Sequence, residues 1–195
     1  GFQDRIRASV ITALRINLTE AETTAIKAAD TDNPAAFDAY LSGLRFIAAR
    51  RRLDVKAVEA AREAFNRAIQ IDPNYALAYA GLAWTEFINY ESVYYHGGPD
   101  RAFELAEQSL AIAETALAHR TLSKRYFNLL FEVSGRRVPK KSLDHLTAAR
   151  RLQPGDPDVL ADLASTLPFD GRPKEAVELI GRAMELNPAH PYWYY

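Results

Sequence analysis

The chain has 195 residues, of which 48% are hydrophobic and 25% are charged, and its formal net charge is −1. This composition is ordinary for a soluble globular protein, and the near-zero charge gives no general reason to expect nucleic acid or an anionic membrane as a partner. The absence of cysteine excludes disulfides, zinc–thiolate sites and cysteine nucleophiles, and it agrees with a reducing compartment such as the cytoplasm.

Residues 1–33 are predicted to form two helices that cap the open end of the fold. The first has apolar residues at every fourth position, as in an amphipathic helix: Ile6, Val10, Leu14 and Leu18. Thr19 and Glu22 have the spacing of a capping box, which predicts a second helix that ends near Ala29. The stretch 31–34, Thr-Asp-Asn-Pro, then predicts a helix stop, an N-cap and a proline at the first helical position.

Similar segments recur along the rest of the chain, and each ends in a proline. Residues 67–73 read RAIQIDP, residues 148–154 read AARRLQP, and residues 182–188 read RAMELNP. An earlier Asn-Pro lies at 33–34, and the last two of these prolines are 34 residues apart. Recurrence at this spacing indicates a protein built from repeated helix pairs.

These features resemble the tetratricopeptide repeat, a 34-residue helix–turn–helix unit with aromatic, small and proline residues at set places. Four repeats are predicted, at about 36–75, 76–115, 116–156 and 157–190. Residues 191–195 match the start of a further repeat, which predicts that the chain is a fragment of a longer protein. The resemblance implies an all-α fold, a right-handed α-solenoid in which each helix pair packs on the next.

Residues of three kinds are expected to hold such repeats together. Small residues allow helix axes to approach closely, large residues fill the space between neighbours, and a proline ends the second helix of a pair. The predicted packing residues are Tyr40, Ala61, Phe65, Ala68, Pro73, Tyr79, Leu82, Leu163, Ala176, Ala183 and Pro188.

No pattern of catalytic or ligand-binding residues is evident, so we expect no enzyme activity, cofactor or metal. The glycine pair at 97–98 is typical of a turn rather than of a phosphate-binding loop. The histidines lack the spacing of metal ligands: His96, His119, His145 and His190. No apolar run approaches the roughly 20 residues needed to cross a bilayer, so no membrane insertion is expected.

The usual binding surface of tetratricopeptide proteins is a concave groove lined by the first helix of each pair. Carried onto this sequence, the groove has an aromatic and basic strip that consists of Arg45, Trp84, Phe87, Arg120, Lys124 and Phe127. Such a strip would suit a protein or peptide partner with acidic and apolar groups. In the alternative interpretation, Trp84 and Phe87 pack against the 90–100 loop or the N-terminal helices.

The chain also resembles the C-terminal tetratricopeptide region of bacterial class III adenylate/guanylate cyclase-like proteins. The resemblance lies in QDRIRASVITALRINLTEAE, NPAAFDAYLSGLRF, AFNRAIQIDPNYALAYAGLAW and NPAHPYWYY. It implies a non-catalytic protein–protein interaction module, the regulatory or scaffolding part of a larger signalling protein. The catalytic aspartates of such cyclases lie in an N-terminal domain that this sequence does not contain.

Four other functions remain open at the level of sequence. One is a structural spacer or homodimerisation element, another is the tetratricopeptide part of a winged-helix transcriptional regulator, and a further one is a small-molecule sensor in the groove. The fourth is nucleic-acid binding through basic residues near the helix-to-helix connections: Arg50, Arg51, Arg52, Arg136, Arg137, Lys140 and Lys141.

Overall fold

The computed structural model describes residues 27–48, 55–92, 99–132, 140–191 and 194. These residues are mostly helical, and no β-strand occurs among them. Consecutive helices pack as pairs: α1 (Pro34–Ala48) with α2 (Val55–Ile71), α3 (Ala76–Ser92) with α4 (Asp100–Ile112), α5 (Ala116–Glu132) with α6 (Lys140–Leu152), and α7 (Pro157–Thr166) with α8 (Pro173–Leu186). A short 3₁₀ helix, Leu167–Asp170, connects the last pair.

The start of α1 follows the sequence signals. A helical stretch ends at residue 29, and the side chain of Asn33 accepts hydrogen bonds from the backbone N–H groups of Ala35 (3.0 Å) and Ala36 (3.3 Å). Pro34 is the first residue of the helix, where its missing N–H has no intrahelical acceptor to lose. The predicted stop, N-cap and first-position proline are therefore confirmed.

The chain divides into two compact units, residues 1–114 and 115–195, and each is described by itself. In the first unit Phe65 and Tyr75 are fully buried. The ring of Tyr40 lies between them, with ring centroids 5.8 Å from Phe65 and 5.2 Å from Tyr75. These three rings, with Ala68 from α2, join the first helix pair to the start of α3.

The ring of Phe65 also lies against two glycines on different helices. A Cβ atom added to Gly43 of α1 would be 2.6 Å from the Phe65 ring, and one added to Gly81 of α3 would be 2.5 Å from it. Neither distance leaves room for a methyl group. The missing side chains therefore allow α1 and α3 to approach the same ring.

Side-chain hydrogen bonds connect neighbouring helices in the first unit. Arg62 of α2 donates from Nε and Nη2 to the two carboxylate oxygens of Glu86 of α3, at 2.7 and 3.0 Å. Ser109 of α4 is buried, and its hydroxyl donates to the backbone carbonyl of Ala76, which begins α3 (2.8 Å). Because buried polar groups are costly without partners, these bonds fix which residues face each other.

The second unit has its own apolar core between α6, α7 and α8. The core residues come from all three helices, from the 3₁₀ helix and from the end of the chain: Leu146, Leu160, Leu163, Leu167, Leu179, Ala183 and Tyr194. Ser142 of α6 is buried and donates to the backbone carbonyl of Ser123 of α5 (3.1 Å). The pairing of α5 with α6 thus includes a buried polar bond, as the pairing of α3 with α4 does.

The predicted all-α fold of paired helices is confirmed. The four pairs lie, to within two residues, inside the four predicted repeat ranges. The apolar stripe at 6–18 and the capping box at Thr19 lie outside the described residues, as do most of the helix-to-helix connections. Of residues 191–195, the structure describes only Pro191 and Tyr194.

The predicted packing residues differ in burial according to their position in the repeat. Seven are buried: Ala61, Phe65, Ala68, Leu82, Leu163, Ala176 and Ala183. Tyr40 and Tyr79 are half-buried, whereas Pro73 and Pro188 are exposed in the turns that follow α2 and α8. Across the described ranges, no helix combines the length and apolar character required to span a membrane.

Candidate functional site

The first helix presents one predicted groove residue to solvent. Arg45 is exposed near the end of α1, and its Nη2 atom donates to the hydroxyl of Ser42 at 3.0 Å. Leu41, one turn earlier, is 39% exposed, which is high for a large apolar residue. These side chains line an open depression of about 640 Å³ together with Asp38 and Leu44.

The two predicted groove aromatics of α3, Trp84 and Phe87, are not exposed. Trp84 stacks on Phe87 with ring centroids 5.6 Å apart, and Phe87, which is 1% exposed, also contacts Phe103 of α4 at 6.3 Å. Their burial favours the interpretation that these two aromatic residues pack within the protein. One packing partner of Phe87 is Phe103 of α4, a residue that the sequence does not single out.

Two predicted groove cations in the second unit are paired with one carboxylate. Arg120 of α5 donates from Nε to Asp162 Oδ2 at 2.8 Å, and Lys124 donates from Nζ to Asp162 Oδ1 at 2.6 Å. The side chains of Arg120 and Asp162 are 5% and 2% exposed, whereas that of Lys124 is 22% exposed. Both oxygens of Asp162 are therefore engaged, and of the two cations only Lys124 is substantially accessible.

A second acidic residue extends this ion cluster. Asp158 lies one turn before Asp162 on α7 and accepts from Arg120 Nη1 at 3.4 Å. Its other carboxylate oxygen accepts from the hydroxyl of Tyr194 at 2.7 Å. The cluster thus ties the first helix of one pair to the first helix of the next, and it holds the buried ring of Tyr194 against α7.

The ionisation of the cluster follows from burial and charge. Burial raises the pKa of Asp162, but the two cations outweigh burial, so its pKa lies below the usual value. Burial disfavours the charge of Arg120, but the neighbouring carboxylates outweigh that effect, and its pKa is raised. Burial and the bond to Asp158 raise the pKa of Tyr194. The three groups therefore keep the protonation states that their hydrogen bonds require at neutral pH.

Two of the histidines meet between α5 and α6. The Nδ1 atoms of His119 and His145 are 2.9 Å apart, so one ring donates a hydrogen bond to the other. The ring of Tyr126 stacks on His145 at 5.7 Å, and the ammonium of Lys141 lies 5.4 Å from the Tyr126 ring centroid. Within the described part of the chain, no three histidine, aspartate or glutamate side chains come together as a metal site.

The six predicted groove residues therefore fall into separate groups. Arg45 lies on α1, the stacked pair of Trp84 and Phe87 lies in the core of the first unit, and Arg120 and Lys124 share Asp162 in the second. Phe127 lies on α5, and the structure describes its backbone only. Of the basic residues considered for nucleic acid, the structure describes Lys140, which pairs with Asp144 (2.8 Å), and Lys141.

Sequence reasoning missed Asp162, which determines what the two cations of α5 can do. One signal was present: Asp162 interrupts the otherwise apolar run VLADLA of α7. An acidic residue on the buried side of a helix needs a cationic partner. The sequence offers several arginines and lysines, and spacing alone does not select Arg120 and Lys124.

Comparison with known proteins identifies the fold of the chain. No protein-family model and no curated protein matches the chain. Among solved structures, the chain is similar to TTC0263, a thermophilic TPR protein of Thermus thermophilus. The TM-score is 0.57 at 18% identity, and the match covers 79% of this chain and 75% of that one.

The chain is also similar to a chain of the APC/C hetero-tetramer Cut9–Hcn1, with a TM-score of 0.55 at 17% identity. That match covers 93% of this chain and 34% of the other. At such identities the likeness establishes the fold alone. The described helix pairs have the tetratricopeptide-repeat fold.

Proposed function

We propose that this chain is a non-catalytic protein–protein interaction module that binds a peptide segment at the exposed side of α1, the first helix of its first repeat. The observation that carries the proposal is the pair of exposed side chains on α1, Leu41 and Arg45, beside an open depression. An apolar side chain next to a guanidinium on a rigid helix offers both burial and a charge-assisted hydrogen bond to a ligand.

The chemistry of this surface favours a partner with an acidic group next to an apolar one. The guanidinium of Arg45 donates to a serine hydroxyl, a neutral acceptor, and its side chain is exposed. In the second unit, Lys124 presents a partly exposed ammonium, but Asp162 already neutralises it. We therefore assign the contacts with the partner to α1.

The setting of the module is proposed from the sequence resemblance. We place it in the cytoplasm, as the regulatory or scaffolding part of a larger bacterial signalling protein such as an adenylate/guanylate cyclase. The structural relative belongs to the APC/C hetero-tetramer Cut9–Hcn1, which supports the general idea that this fold engages protein partners. The nucleotide sequence on either side of the coding segment would test the cyclase context directly.

A panel of fluorescent peptides tests the binding proposal. Peptides that alternate acidic and apolar residues are compared with matched peptides in which lysine replaces each acid, and binding is measured by anisotropy. We expect the acidic set alone to bind. The double change Leu41→Ala and Arg45→Glu should weaken binding at least tenfold, which corresponds to about 1.4 kcal/mol or more.

The matched control changes similar residue types on α8, where Val177 and Arg182 are highly exposed. Val177→Ala with Arg182→Glu should leave both peptide binding and the melting temperature unchanged. Equal binding of both peptide sets, or equal loss in both variants, would contradict the proposal. A dimer in sedimentation experiments, without peptide binding, would instead support the spacer or homodimerisation function.

A further inference from the structure

The flank of the first helix pair contains a groove that the packing described above does not use. It lies between α1 and α2 and has a volume of about 510 Å³. Its floor consists of small residues from both helices, Ala35, Ala60 and Ala64, and the exposed ring of Phe46 lines it as well. Small residues of this kind allow another helix to approach closely.

This groove lies on a different side of α2 from the contact with α3. Phe65 marks the side that packs against Gly81 of α3. At 3.6 residues per turn, Ala60 and Arg67 lie roughly 140–160° around the helix from Phe65. The groove is therefore the outer flank of the first pair, where a preceding element of the chain would lie.

The chain reaches this groove at the end where α1 begins and α2 ends. Thr31 is buried, and its hydroxyl donates to the carboxylate of Asp72, directly after the end of α2. Asn33 caps the start of α1. The chain before Thr31, of which residues 27–30 are described, therefore reaches the first pair beside the start of one groove helix and the end of the other.

Residues 3–18, the first of the two predicted N-terminal helices, match the groove in length, polarity and charge. As a helix, residues 3–18 would be about 24 Å long, close to the length of the 15-residue α1. One side carries the apolar stripe at 6, 10, 14 and 18. The segment has three arginines against one aspartate, whereas the described lining of the groove includes two acidic residues, Asp38 and Glu63, and one cation, Arg67.

We propose that residues 3–18 form a helix that docks its apolar stripe into the groove between α1 and α2. This deepens the prediction of an N-terminal cap, because it assigns the cap a specific surface. It does not depend on peptide binding. The docked segment would cover the alanine floor and Phe46, and it would place its arginines beside Asp38 and Glu63.

The absence of cysteine from the chain makes the proposal testable by thiol labelling of the full-length protein. Ala64→Cys places a thiol on the groove floor, and Val177→Cys places a reference thiol on the exposed side of α8. We expect maleimide to label the groove thiol at least tenfold more slowly than the reference thiol. Adding Val10→Glu and Leu14→Glu should remove this protection.

The matched control adds Ala8→Glu and Thr12→Glu, which have the same charge and spacing on the opposite side of a helix at 3–18. Protection should persist in this control, and circular dichroism should show that all variants remain folded. Fast labelling of the groove thiol in the parent, or equal effects of the two glutamate pairs, would overturn the proposal. Protection that disappears on dilution would also overturn it, because a second copy of the chain would then be the occupant.

Discussion

Phe65 and the two glycines beside it illustrate what a single residue does in this fold. The place of Phe65 in the repeat predicts a packing role, and its side chain is completely buried. The sequence does not show that Gly43 and Gly81 face the same ring. Glycine in the middle of a helix is unfavourable by about 1 kcal/mol relative to alanine, and at Gly43 and Gly81 the close approach of the Phe65 ring explains it. The identity of the constraining side chain is visible only in three dimensions.

Gly81→Ala should therefore destabilise the protein despite the higher helix propensity of alanine. The new methyl group would overlap the Phe65 ring, and overpacking of this kind costs about 1–3 kcal/mol. Urea denaturation measures the change in the free energy of unfolding.

The control for this substitution is Gly181→Ala in α8, where a Cβ atom would meet nothing within 4 Å. That change should raise the free energy of unfolding by up to about 1 kcal/mol. If both substitutions stabilise the protein, the ring of Phe65 does not constrain the approach of α3.

Two helices of this protein begin where local capping signals specify. Asn33-Pro34 starts α1 as the sequence predicts, because capping and proline effects depend on residues within one turn. Asp156-Pro157 starts α7 in the same way: the Asp156 side chain accepts hydrogen bonds from the N–H groups of Asp158 and Val159. The end of α7 was not predicted. A 3₁₀ turn follows at Leu167, and Gly171, with φ 78°, ends it in the left-handed conformation.

At this scale, Asp156→Ala should lower the free energy of unfolding by about 1 kcal/mol, since two backbone N–H groups of α7 lose their acceptor. Thermal or urea denaturation would detect the change. Asp156→Asn retains an acceptor oxygen and should remain near the parent in stability. An equal loss in both variants would indicate that the charge of Asp156, rather than its capping bonds, stabilises the helix.

Within the second unit as a whole, the ion cluster makes stability depend on pH. Asp162 is fully buried and has a lowered pKa because of Lys124 and Arg120. A carboxyl group whose pKa is lower in the folded state stabilises that state above its unfolded pKa, which is about 3.9. This contribution is lost as the pH falls below about 4 through the folded-state pKa.

Asp162→Asn should lower the free energy of unfolding at pH 7 by about 3–5 kcal/mol, because Lys124 loses its carboxylate partner and the buried Arg120 keeps the longer contact with Asp158. The difference from the parent should shrink as the pH falls below about 4 and Asp162 of the parent becomes protonated. Urea denaturation across this pH range measures it. Asp144→Asn breaks the exposed pair with Lys140 and should change stability by less than about 1 kcal/mol at any pH. A constant difference between the Asp162 variant and the parent would contradict this account.

The sequence predicted the environments of the candidate site residues only in part. Arg45 was predicted at the surface from its place in the repeat, and the structure has it exposed. For Trp84 and Phe87, the sequence left open whether they line the groove or pack against the 90–100 loop or the N-terminal helices. The structure has them buried, stacked on each other, with Phe87 against Phe103. Arg120 was considered as a ligand-binding cation, but Asp162 already pairs with it. Periodicity identifies which residues share a helix face, but it does not identify what lies opposite that face.

The sequence by itself determined the helices, their pairing in order along the chain and several of their ends. These properties depend on local periodicity, caps and prolines, which act over a few residues. The tertiary structure alone decided which charges are neutralised and which aromatic rings are buried. Asp162 meets Arg120 across 42 residues of sequence, and a contact over such a distance forms only when the helix pairs pack together.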